Sequence, residues 1–162
     1  MTNPKAAAWY GVSGVEELAL AGGLGQNVAR QAFTFDGGAG SGAVGQIDLF
    51  TVTGAVLVRL TAICTADLTD AAAGATISVG TAGEVDGIIA VTSAVTIDAG
   101  EIWFAAAPAT VLNTEANAFL NYVIGDGADI TADVLVEAVT GGTIVFTAFW
   151  TPLTAGASVA AA

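Results

Sequence analysis

A chain of 162 residues in which 54% are hydrophobic and only 11% charged has too few ionisable side chains to clothe an ordinary monomer, where about a quarter is usual. Fifteen acids stand against three cations, Lys5, Arg30 and Arg59, for a net charge of −12; this excludes a phosphate-neutralising nucleic-acid surface. Histidine is absent and cysteine occurs once, so a zinc site, a Ser-His-Asp triad, a Cys-His dyad and an internal disulfide are all excluded within one chain.

The apolar runs are broken every few positions by Thr, Asp, Gly or Glu, so none reaches the ~18 consecutive residues of a membrane helix. Twelve aromatics are too few for the girdles of a membrane barrel. A mean hydropathy of +0.74 without a membrane span predicts one domain that hides its extra apolar surface in an oligomer.

Residues 1–31 read as an N-terminal arm. Short helical pieces at 5–10 and 15–20 are interrupted by Gly11, Gly22, Gly23 and Gly25, each costing about 1 kcal/mol relative to Ala in a helix interior. Trp9, Tyr10 and Arg30 in this arm are candidate docking residues for a neighbouring subunit. No charged region followed by an apolar run and a cleavage site is read here, so a signal peptide is not expected.

Residues 32–153 read as the body. A strand at 32–36 leads into a Gly-rich loop at 37–42, which lacks the Lys-Ser/Thr of a phosphate-binding loop and is followed by no helix. Residues 45–68 read as a central hairpin turning at Thr53-Gly54. In its second strand Val56, Val58, Leu60, Ala62 and Cys64 share one wholly apolar face, whereas Leu57, Arg59, Thr61 and Ile63 share the other. Further strands are expected at 75–80, 87–92, 94–98, 101–104 and 119–124. A last hairpin pairs 133–139 with 143–150 around Thr140-Gly141-Gly142, since adjacent glycines suit a turn with positive φ. Residues 154–162 read as a small-residue tail. Many short strands with Gly turns and no alternating helices predict an all-β fold, an antiparallel sandwich of jelly-roll-like kind with an extended N-terminal arm.

Carboxylates are the only functional chemistry on offer. Asp126, Asp129 and Asp133 near a glycine turn are a candidate Ca²⁺ site, although their spacing is not that of an EF-hand and solvated turn acids explain them more simply. Glu84 with Asp86, or Asp98 with Glu101, could form a hydrolase pair, but nothing in the spacing places either in a pocket. Cys64 falls on an apolar face and reads as a buried, inert thiol. Arg59 lies mid-strand among apolar neighbours and should find a carboxylate, from Glu137 across the sheet or from another subunit. No cofactor is implied.

One pattern is familiar. Phe35-Asp36-Gly37, Gly42-Ala43-Val44-Gly45, the run from Leu49-Phe50-Thr51-Val52-Thr53-Gly54 through Ala55-Val56-Leu57-Val58-Arg59, then Cys64, Asp67-Leu68 and Trp150-Thr151-Pro152-Leu153, resemble small β-rich structural proteins of tailed-bacteriophage virions. The resemblance covers 33–153. It implies a capsid decoration (cement) protein or head-associated fibre, commonly trimeric, made in the host cytoplasm and seated outside the major capsid protein lattice, with no catalytic residue. An alternative from another class is a fibre- or tail-associated module binding a host-surface receptor, with Trp103, Phe104 and Tyr122 as an exposed aromatic cluster. A cell-wall hydrolase is a third reading.

Overall fold

The computed structural model describes residues 27–72, 74–104, 108–109 and 120–162. Trp9, Tyr10 and the expected helical pieces of the arm lie outside them. Among the described residues ten strands run in the order β1 (Asn27–Thr34), β2 (Gly45–Thr53), β3 (Val56–Asp70), β4 (Thr76–Thr81), β5 (Glu84–Ser93), β6 (Ile102–Trp103), β7 (Tyr122–Ile124), β8 (Ile130–Leu135), β9 (Val139–Pro152) and β10 (Ser158–Ala161). One 3-10 turn, Ala94–Thr96, follows β5, and among the described residues there is no α-helix.

Pairing is antiparallel throughout and divides the strands into two five-stranded sheets. The first has the order β1-β9-β3-β6, with β7 also on β3; the second has the order β10-β2-β8-β4-β5. β1 pairs with β9, β2 with β8, β3 with β6 and β4 with β5, as in a long ribbon folded back on itself and wrapped over two layers. The fold is thus the all-β antiparallel sandwich that composition and turn spacing predict.

Alternation builds the core. Val56, Val58, Leu60, Ala62 and Cys64 of β3 are all buried, as are Ile144, Phe146 and Ala148 of β9 opposite them, and Ile130, Ala132 and Val134 of β8 in the other sheet. In β2 a bulge between Asp48 and Phe50 breaks the period, so that Leu49 and Phe50 both turn inward. Trp103 is fully buried, its ring edge-on to Phe146 with centroids 6.4 Å apart and its indole N–H donating to Thr92 Oγ1 at 2.9 Å.

Neither expected hairpin forms. Residues 53–56 carry the chain from one sheet to the other, because β2 pairs with β8 and β10 while β3 pairs with β9. Gly141-Gly142 likewise lies inside β9. Gly142 (φ +106°) sits where β9 passes the bulged end of β3, and a Cβ there would lie 2.5 Å from both the Asp67 carbonyl oxygen and Leu68 Cδ2. The glycine serves a close backbone approach, which a period-2 pattern cannot reveal. Two boundaries also differ. β1 begins at Asn27, five residues before the expected strand, and Ser158–Ala161 of the tail pairs with β2 and buries Val159. The strand expected at 87–92 is part of the longer β5, and the one expected at 94–98 is instead the 3-10 turn and the residues after it.

Candidate functional site

The outward side of the first sheet is the most distinctive surface. Its rows follow from the register: Val28, Phe149 and Arg59; Arg30, Thr147 and Thr61; Ala32, Val145 and Ile63; Thr34 and Thr143. Leu57 extends the face toward Val123 of β7. Val28 is 55% exposed, Ile63 43% and Val123 69%, and Arg30, Ala32 and Thr34 are exposed as well. The face holds both cations of the described residues, and no carboxylate lies in these rows. In a chain of net charge −12 that is an unusual exclusion.

The arginines differ. Arg59 is half-buried, with its guanidinium carbon 5.3 Å from the centroid of the Phe149 ring, a cation–π contact. Arg30 is exposed on edge strand β1. Glu137 is not the partner of Arg59. It lies just before Val139, which pairs with Asp70 at the opposite end of β3, and its carboxylate faces Gly74. Asp70 lies eleven residue steps along β3 from Arg59, about 36 Å at 3.3 Å each.

The acids of the described residues lie elsewhere. Asp48 and Asp133 are on the outward side of the second sheet, where Gln46, Asp133 and Ser78 form one row and Asp48, Thr131 and Gly80 the next. Asp126 is exposed in a turn with φ +58°, and Asp129 Oδ1 accepts the Val52 backbone N–H at 2.8 Å. Among the described residues no three acidic or cysteine side chains gather closely enough to hold a metal ion, so Asp126, Asp129 and Asp133 are not brought together as a Ca²⁺ site. Glu101 caps its own turn: Oε2 accepts the Asp98 N–H at 3.0 Å while its N–H donates to Asp98 O at 3.1 Å. Asp36 does similar work in the Gly-rich loop, where Oδ1 accepts from Gly38 N at 2.8 Å and from the Ser41 hydroxyl; these bonds hold its carboxyl below the usual range.

Cys64 is buried, its thiol donating to Ala66 O at 3.0 Å, and burial pushes the thiol above its ordinary value. The aromatic cluster expected for a receptor-binding tip does not form on the surface. Trp103 is inside the core, and Tyr122 is half-buried with its hydroxyl donating to Ile88 O at 3.0 Å. Burial raises the Tyr122 phenol above its ordinary value.

A second feature was not legible in the sequence. Where edge strands β5 and β7 meet, a cleft of about 270 Å³ opens between Glu84, Gly87, Ile88, Tyr122, Ile124 and Gly80. It exists because β5 bulges across β4. The register passes from Val79 opposite Ile89 to Thr81 opposite Glu84, and the bulged backbone comes so near Gly80 that a Cβ there would lie 1.9 Å from Glu84 O. No described helix is long and apolar enough to cross a membrane.

No protein-family model matches this chain, and no curated protein sequence matches it. Among solved structures it is similar to a chain of the cyanophage Pam1 capsid asymmetric unit, at 22% identity, covering 78% of this chain and 84% of that one with a TM-score of 0.49.

Proposed function

We propose that this chain is a non-enzymatic structural protein of a tailed-phage virion, a decoration protein that assembles as a homotrimer and clamps subunits of the major capsid protein lattice from outside. The observation that carries the reading is the outward side of β1-β9-β3, rich in Thr, Val and Ile and without a carboxylate in its rows. Interface cores are depleted in acidic side chains and tolerate Arg, and this face matches that composition. The resemblance carried by 33–153 supports the same role. The work such a protein does is mass action: binding the assembled shell but not its separated subunits stabilises the shell by RT ln(1 + [L]/Kd).

The test is co-sedimentation of the purified full chain with phage heads that lack it. Saturable pelleting at a fixed ratio to the capsid subunit, with release of packaged DNA shifted to higher temperature, is the expected outcome. Absence of pelleting at micromolar protein would refute the virion role.

A further inference from the structure

The cleft at the β5–β7 edge and the arginine-bearing sheet face are complementary. We propose that the cleft receives Arg30 from the sheet face of a second copy, so that copies join head to tail; this rests on the self-assembly part of the reading above and not on capsid binding.

The cleft has the chemistry of a guanidinium site. Glu84 supplies the one carboxylate among its lining residues, Tyr122 supplies a ring, and Ile88 and Ile124 supply apolar walls. The Tyr122 hydroxyl is already engaged by Ile88 O, which fixes the ring. A planar cation gains from all three at once: a charge-assisted hydrogen bond, stacking on the ring and contact for its apolar stem.

The cation comes from another molecule. Arg30 lies on β1 at one edge of the first sheet and the cleft at the other, with β9 and β3 between. Three strand spacings are about 14 Å, and the register sets Arg30 level with Thr61 whereas the cleft residue Val123 is level with Leu57. A side chain of about 7 Å cannot cover that distance. Pairing the two sheet faces about a twofold axis would set arginines against arginines with no acid in the rows between them, so the cleft of a second copy, and not its facing sheet, is the complement of Arg30. A head-to-tail contact between a sheet face and an edge closes into a ring where its rotation divides a full turn. Where the rotation does not close, the same contact continues as a filament.

Light scattering on the size-exclusion eluate of the full chain tests this with Arg30→Glu, Glu84→Lys, the neutral Glu84→Gln and the double variant Arg30→Glu/Glu84→Lys. The wild type is expected as a small closed oligomer. Each charge-reversed single variant should raise its dissociation constant by about tenfold or more, Glu84→Gln should raise it less, and the double variant should regain the oligomer. Circular dichroism melts establish that each variant is folded, and Glu84→Gln keeps the side-chain volume should Glu84→Lys fail to fold. Single variants that retain the wild-type mass, or a folded double variant as dissociated as the singles, would overturn the proposal while leaving self-assembly intact. A monomeric wild type would overturn both.

Discussion

Thr92→Val tests whether the Trp103 indole is held by its single hydrogen bond. Trp103 has no exposed surface, and its N–H donates to Thr92 Oγ1 at 2.9 Å while the Thr92 hydroxyl donates onward to Ala90 O at 2.9 Å. Valine keeps the shape and removes the acceptor, leaving a buried donor without a partner, at a cost of about 1–3 kcal/mol. For 162 residues the unfolding entropy is about 0.34 kcal/mol per kelvin, so each kcal/mol lowers Tm by about 3 °C and Thr92→Val should lower it by about 3–9 °C. Trp103→Phe removes the donor, so in that background Thr92→Val no longer strands it. A double-mutant cycle should show the pair about 1–2 kcal/mol more stable than the sum of the single variants. The assay is thermal unfolding followed by circular dichroism at one fixed protein concentration, since assembly makes Tm concentration-dependent. An unchanged Tm for Thr92→Val, or additivity within about 0.5 kcal/mol, would refute the reasoning.

Gly142→Ala and Gly40→Ala form a contrasting pair. Both glycines have positive φ, but a Cβ at 142 meets backbone 2.5 Å away whereas at 40 it meets nothing within 4 Å. The first should destabilise by more than about 3 kcal/mol and the second by about 1–2 kcal/mol, read from denaturant melts. Cys64 should resist a thiol reagent at pH 8 until denaturant is added. Its folded value lies above the ordinary 9.0. The stability it contributes is therefore full below that value and falls as pH rises beyond it, so alkaline melts of Cys64→Ala should decline less than wild type. Asp36 has the opposite sign. Its carboxyl is lowered from 3.8 chiefly by the Ser41 hydroxyl, so order in the Gly-rich loop is present above that value and lost as pH falls below it. Ser41→Ala should move the Asp36 carboxyl resonance titration back toward 3.8 by NMR.

Period-2 alternation made the faces of β3 and of the second half of β9 readable residue by residue, because burial follows Cβ direction. Partnership was not readable. Thr53-Gly54 and Gly141-Gly142 have the composition of hairpin turns, yet the first joins two sheets and the second lies inside a strand where β9 crowds Asp67 and Leu68. Strand order in a wrapped ribbon is decided by contacts between residues far apart in the chain, which local composition does not encode. Trp103 beside Glu101 looks like a surface motif, but Glu101 turns back to cap residue 98 and lets the indole enter the core. The arginine-bearing face was half visible, since Arg59 fell on the mixed side of its strand. Arg30 belongs to it because β1 includes Asn27–Thr34 and pairs with β9. Glu84 and Tyr122 line one cleft where β5 bulges, and nothing in either segment announces that.

The pairing of β1 with β9 sets Asn27 opposite Trp150. A ribosome must therefore release the chain as far as Trp150 before β1 can find its place, and until then the apolar sides of β2 and β3 lack the cover of β8 and β9. Such a molecule should fold late and slowly. While it waits, its open edges are exposed to other nascent copies. Production at high level should yield inclusion bodies before it yields soluble protein, and cooler, slower synthesis should reverse that balance.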